Sequence, residues 1–328
     1  MPDNKSTLVR KIDFGPVWNG SGARGFFGEG YWYHLWFKIL FWWWPWLDRC
    51  TIVAKTTTLH QHAGNMPLRE DGITPRELKP RSIWISLKSF WRGYALNAAG
   101  LSGPGVRFLL NQGKWQKRTK PFLISFMSIA KTKEERLAEL RQFVQILASY
   151  LPQFHAPVGL QLNFSCPSVG LNPQELIAEV EEALTIAASL NIPLVPKFNI
   201  LIPVALAKAI SEHPFCDAIC VSNTIPWEQI PPNTRRRLFG QRQSPLANMG
   251  GGGLSGRPLL PWVVSWVARA REIGITIPIN AGGGILGPKN AATLFAAGAN
   301  SISIASVFFL RPWQVARIIK AATRRLLQ

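Results

Sequence analysis

From about residue 120 onward the chain alternates between short, β-branched apolar runs and longer stretches of helical period. Residues 122–127, 159–163, 194–197, 218–222, 278–281 and 301–305 read as strands. Thr132-Lys133-Glu134-Glu135 is a capping box that opens a helix reaching residue 151. Pro173 suits the first position of a helix starting at Asn172. Further helices are expected at 203–213, 258–274, 288–297 and 312–327, while the Arg-rich stretch 234–243 reads as a loop. Two earlier runs, 12–17 and 51–55, bring the strands to eight. Strands that alternate with helices form parallel βαβ units. Eight of them imply an α/β fold, the (β/α)8 TIM barrel, occupying residues 1–328 as one domain. Residues 59–120 form a turn-rich excursion between strands two and three, long enough to be a subdomain or lid.

A barrel of this kind exposes its reactive groups at the C-terminal ends of its strands. Strand two ends in Lys55-Thr56, strand four in Asn163 followed by Cys166, strand five in Lys197, and strand six in Asn223-Thr224. A thiol at a strand end can act as nucleophile or proton acceptor, or simply close a tight turn. The polar equipment of the other strand ends favours chemistry for Cys166. After strand seven come Gly282-Gly283-Gly284, and after strand eight Ala305-Ser306, the usual place for bare amides that cradle a phosphate. Two lysines suit an anion that forms during reaction, such as a reduced flavin. Asn97, Asn163 and Asn223 offer donors and acceptors to a flat heterocycle, although any one of them could equally cap a turn.

The formal net charge of +19 implies an anionic partner: nucleic acid, phospholipid or a phosphorylated ligand. Four cysteines, Cys50, Cys166, Cys216 and Cys220, are too few and too irregular for a disulfide framework. They lack zinc spacing, so no metal is expected, and a reducing cytoplasmic setting is. The polar start, residues 1–14, does not look like a cleavable signal peptide. Residues 31–47 hold six of the fourteen tryptophans and a single formal charge, Lys38. A helix of that length reaches about 25 Å, short of a hydrocarbon core of about 30 Å. Tryptophan prefers the lipid interface, so a segment lying on the cytoplasmic membrane face is expected, with a buried helix or a subunit contact as the alternatives.

The motifs resemble those of the dihydroorotate dehydrogenase family of FMN-dependent barrels. They run in family order over residues 17 to 320: Asn19-Gly20-Ser21-Gly22-Ala23-Arg24-Gly25, Lys55-Thr56-Thr57-Thr58, Gly64 to Arg69, and Leu96-Asn97 to Gly100. Then follow Asn163-Phe164-Ser165-Cys166-Pro167, Pro196-Lys197, Ser222-Asn223-Thr224, Gly252 to Pro258 and Ala281 to Ile285. The resemblance implies that Cys166 removes a proton from C5 of dihydroorotate while the C6 hydride passes to FMN. It places Lys197 beside the flavin N1–C2 carbonyl edge. It gives Lys55, Asn97 and Asn163 contacts to flavin and substrate, and Asn223 and Thr224 contacts to the substrate. Ser21, Gly22, Thr56, Gly252, Gly253, Gly283, Gly284, Ala305 and Ser306 complete the FMN site. Cysteine as the base resembles the soluble class, and a homodimer is the expected assembly.

Two positions depart from the family pattern. Ser168 replaces an asparagine expected in the cysteine loop, and Ser102-Gly103 replaces a second asparagine near Asn97. Both resemble substrate contacts, so another dihydropyrimidine stays open as substrate. So do fumarate, NAD through a partner subunit, and quinone as electron acceptor. A tRNA-dihydrouridine synthase shares the Asn-x-x-Cys-Pro loop, and positive charge suits tRNA. The absence of sequence for a helical RNA-binding domain after the eighth helix makes nucleic acid the less expected partner. A non-catalytic basic barrel is the remaining alternative.

Overall fold

The computed structural model describes residues 6–32, 34, 49–164 and 173–326. Cys166, Ser168 and, of the aromatic segment 31–47, residues 33 and 35–47 lie outside that set. Eight parallel strands form one sheet in barrel order. They are Val17–Asn19, Ile52–Val53, Phe122–Phe126, Val158–Asn163, Leu194–Asn199, Ile219–Asn223, Ile279–Gly282 and Ser301–Ile304. A bridge from Trp18 to Thr51, with Asn19 N–H donating to Thr51 O at 2.9 Å, joins strand one to strand two and closes the ring.

The helices follow from their caps and periodicity. Thr132 Oγ1 accepts from Glu135 N–H and the Glu135 carboxylate accepts from Thr132 N–H, both at 3.2 Å, which starts Lys133–Tyr150. Leu137, Leu140, Phe143, Val144 and Leu147 recur on one face and are buried against the sheet. Pro173–Ala188, Val204–Ser211, Leu260–Glu272, Pro288–Ala296 and Val315–Arg325 complete the outer layer. The Arg-rich stretch is a correction: it contains the helix Pro232–Phe239, closed by Gly240 at φ +72°. Its second proline sits at the first helical position, where a missing N–H costs nothing.

Strand one is also corrected. Ile12–Asp13 pairs antiparallel with Leu8–Val9 in a hairpin, and the barrel strand begins only at Val17. Arg10 and Lys11 take the turn at φ +48° and +66°, without the Asn-Gly pair that would mark such a turn in sequence. The hairpin seals the N-terminal end of the barrel. Val9, Phe14 and Trp18 pack with Val53, Leu123, Val195, Ala218 and Cys220 in one small core, the Phe14 and Trp18 rings edge to face at 5.8 Å.

At the other end the excursion folds over the strand termini. Its strands Ile83–Trp84 and Tyr94–Asn97 pair with Gly253–Gly256 and, through it, Ile225–Pro226, in a four-stranded antiparallel sheet. The glycine run before the helix Leu260–Glu272 is therefore partly a strand of this cover.

Candidate active site

Alternation along the strands decides what the barrel presents at its mouth. Two residues beyond buried Leu123 lies Ser125, and beyond Val195 come Lys197 and then Asn199. Strand four runs Gly159, Gln161, Asn163 on the same side. Register pairs Asn163 with Lys197, and Lys197 with Cys220.

A hydroxyl and amide chain links five of the strand ends. Ser21 Oγ donates to Ala54 O at 2.8 Å, so it must accept from Thr56 Oγ1, also 2.8 Å away. With its own proton committed, Thr56 Oγ1 accepts from Ser125 Oγ at 2.9 Å and from Asn163 Nδ2 at 3.3 Å. Asn163 Oδ1 then accepts from Asn223 Nδ2 at 3.3 Å, and Asn223 Oδ1 accepts from Thr224 N–H at 2.9 Å. Both amides are thereby oriented, each with an N–H left over. Such a pair suits an acceptor edge, a carbonyl or carboxylate.

Both lysines are buried. Lys55 Nζ donates to Ser102 O and lies 4.7 Å from the centre of the Phe26 ring. Burial pushes its pKa down to about 8, with the Glu29 carboxylate opposing the shift. Burial also lowers the pKa of Lys197, and a Cys220 thiolate would oppose that shift. No hydrogen bond or ion pair involving Lys197 Nζ is found among the described residues. A buried ammonium without an anion is costly, so the position fits a ligand that carries or acquires negative charge.

The glycines are fixed by close contacts. A Cβ on Gly253 would lie 2.2 Å from Thr224 Oγ1, so the cover strand rests directly on the end of strand six. Gly253 pairs with Asn97, which brings Asn97, Thr224, Gly252 and Gly253 together. A Cβ on Gly20 would come 2.9 Å from Ala305 Cβ, which sets Ser21 and Gly22 beside the end of strand eight. Gly284, at φ +79°, passes so close to Gly256 O and Leu260 N that a Cβ would stand 2.9 and 3.0 Å from them. Gly283 is at φ +118° and Ser306 is buried at the start of Val307–Leu310. Gly283, Gly284 and Ser306 thus stand without bulky side chains where strands seven and eight end, and these residues fit a phosphorylated flavin.

Some residues sit otherwise than the sequence suggested. Asn97 is exposed, and its Oδ1 accepts from Ala99 N–H at 2.9 Å, which orients the side chain and leaves the amide nitrogen free to donate to a ligand. Ser102, in the place of the expected asparagine, is fully buried. Its hydroxyl donates to Ala99 O and accepts from Met66 N–H, both at 3.0 Å, so it holds the loop and leaves nothing for substrate. Ser125 was missed, although a lone polar residue on the inward side of Phe122–Phe126 was a signal for it. Cys166 and Ser168 lie outside the described residues; the chain reaches them from Phe164, whose N–H donates to Lys197 O at 2.9 Å. Among the described residues no group of His, Cys, Asp and Glu could hold a metal, and no helix is long and apolar enough to cross a membrane.

Comparison with known proteins agrees with this geometry. The dihydroorotate dehydrogenase family model matches residues 50–326. The catalytic subunit of dihydroorotate dehydrogenase B (NAD(+)) from Latilactobacillus sakei is 30% identical over 69% of this chain and 70% of its own length. Dihydroorotate dehydrogenase A (fumarate) from Limosilactobacillus reuteri is 28% identical over 79% of this chain and 80% of its own. The crystal structure of the Eimeria tenella enzyme with ferulenol covers 99% of this chain and 85% of that one. Its TM-score is 0.69 at 18% identity, which speaks to the fold alone. The chain belongs to the dihydroorotate dehydrogenase family of FMN-dependent flavin oxidoreductases.

Proposed function

We propose that this chain oxidises dihydroorotate to orotate in pyrimidine biosynthesis, with Cys166 as the base. The observation that carries the reading is Lys197, a buried cation with no anionic partner among the described residues, paired in register with Asn163 at the root of the cysteine loop. Bound FMN would supply the two-electron acceptor for the hydride leaving C6 of the substrate. Cys166, as thiolate, accepts the C5 proton, so the substrate loses two electrons and two hydrogens. Lys197 stabilises the negative charge that the hydride brings. The spare N–H groups of Asn163 and Asn223, with Thr224, hold the carbonyl-bearing edge of the dihydropyrimidine. Lys55, Thr56, Ser21 and Gly22, from strands one and two, would hold the flavin, and Gly283, Gly284, Ala305 and Ser306 would hold its phosphate.

The test is anaerobic mixing with dihydroorotate, followed by bleaching of the flavin absorbance. Cys166→Ala should keep FMN at about one per chain and bleach at least about a hundredfold more slowly, the usual weight of a positioned base. Equal rates for variant and wild type would remove Cys166 from the chemistry. Protein that bleaches with another dihydropyrimidine but not with dihydroorotate would reassign the substrate.

We further propose that residues 31–47 dock the barrel on the anionic cytoplasmic membrane face, where a quinone could reoxidise FMN. Six tryptophans and a net charge of +19 support it. Wild type should float with anionic vesicles and a Trp42→Ser, Trp43→Ser, Trp44→Ser variant should not. Wild type that stays unbound would end this proposal.

A further inference from the structure

Where the excursion meets the chain beyond strand eight, the surface carries an aromatic cluster that the chemistry above does not use. The helix Leu87–Arg92 is opened by a Ser86–Ser89 capping box and closed by Gly93 at φ +81°. Its phase buries Ser89 and turns Leu87 and Trp91 outward, 76% and 68% exposed. Four residues apart, the two share one face. Across from them Trp313 is 43% exposed. Arg311 stands between, its guanidinium 5.2 Å from the Phe90 ring, 6.0 Å from Trp91 and 5.6 Å from Trp313. It donates to Trp91 O and to Leu310 O, each at 2.8 Å. The guanidinium is the post that holds two outward-facing indoles at the surface.

The rim of this patch is basic and unneutralised. Lys88 and Arg92 are exposed beside the Leu87–Trp91 pair, and Arg257 is near enough to repel Arg311. Lys88, Arg92, Arg257 and Arg311 have no carboxylate partner among the described residues. His34, the last described residue before the stretch 35–48, packs edge-on to Phe308 at 5.8 Å. Phe308 belongs to Val307–Leu310, which leads straight into Arg311 and Trp313. His34 is thus packed on the short helix that leads into Arg311 and Trp313.

We propose that Leu87, Trp91 and Trp313, with their rim of Lys88, Arg92 and Arg311, form a docking surface for an anionic lipid bilayer. Indole rings seek the boundary between headgroups and acyl chains, and unpaired basic residues beside them are drawn to anionic headgroups. Shallow apolar insertion together with basic attraction is the pair of signals that keeps a peripheral protein bound. A second copy of this chain fits the surface less well, because like-charged rims would face each other. The inference rests in part on the membrane reading of residues 31–47, but it is carried by residues outside that segment, so the two can fail separately.

The experiment uses the full chain with FMN bound and vesicles of phosphatidylcholine containing phosphatidylglycerol, with pure phosphatidylcholine as the neutral control. Wild type should partition onto the anionic vesicles and release as salt rises. A Trp91→Ser, Trp313→Ser variant should bind about tenfold or more weakly, with its melting temperature and flavin content unchanged. A Lys88→Gln, Arg92→Gln variant, which leaves the indoles alone, should lose the preference for anionic over neutral vesicles. The triple serine variant at 42, 43 and 44 reports on the aromatic run by itself. If the Trp91, Trp313 variant binds as wild type does, the surface is not a docking site, whatever the run does. A variant that keeps its vesicle affinity but changes sedimentation from dimer to monomer would make the patch a subunit contact and overturn the proposal.

Discussion

The two ends of the barrel are built from the same strands and have opposite characters. At the N-terminal end Val53, Leu123, Val195 and Trp18 close around Phe14 in a wholly apolar plug. Two residues further along the same strands stand Lys55, Ser125 and Lys197. One end gains from burial, since each apolar side chain removed from water stabilises the fold. The other end bears a cost, because two ammonium groups are buried with no carboxylate hydrogen-bonded to them among the described residues. The difference shows where stability is made and where it is given up to keep a site ready for a ligand.

The comparison breaks most sharply at Trp18. Trp18→Ala empties the plug and removes the bond from Nε1 to Gly15 O, and should destabilise by about 3–5 kcal/mol in denaturant titrations. Flavin affinity per folded molecule should not change; equal loss of affinity would show that the two ends are coupled. Lys197→Met tests the opposite end. The ligand-free protein should be as stable as wild type or more so, since an unpaired buried charge is gone, while flavin reduction slows about a hundredfold or more. A variant that unfolds instead would make Lys197 a structural cation. Thr56→Val keeps the shape of the side chain and deletes the oxygen on which Ser21, Ser125 and Asn163 converge. It should cost about 1–3 kcal/mol and raise KM for dihydroorotate more than it lowers kcat. A change in kcat alone would argue that the asparagine amides are not positioned through Thr56.

The smallest effect is in the pH dependence of stability. Lys55 has a folded pKa of about 8 against an ordinary value of 10.5. Between those values the unfolded chain holds a proton that the folded chain has lost, so stability rises with pH across that window. Below pH 8 the cost of burying the charged amine is present in full. Melting curves of ligand-free wild type and Lys55→Met should therefore converge as pH rises, by on the order of 1 kcal/mol per pH unit at most. Curves that stay parallel would mean that Lys55 keeps its proton through contacts other than those seen.

Local pattern alone determined seven of the eight barrel strands, the outer helices after residue 130 other than Pro232–Phe239, and the polar residues at the strand ends. Each rests on periodicity or capping within a few residues, as in Thr132–Glu135. Lys55, Asn163, Lys197 and Asn223 were legible because a polar group at the end of an apolar strand has few structural uses. The plug, the cover and the aromatic patch were decided only by tertiary structure. Arg10 and Lys11 carry no turn signature, so the hairpin that seals the barrel is held by its docking of Val9 and Phe14. Tyr94–Asn97 finds its partner in Gly253–Gly256, far along the chain, where only glycine clears Thr224. Ser102 was read as a lost ligand contact until its hydroxyl was seen spent on Ala99 and Met66. Trp91 and Trp313, more than two hundred residues apart, are brought together by Arg311. Sequence period says which face of a segment turns inward; what that face meets depends on chain closure between distant segments, and no local window holds that information.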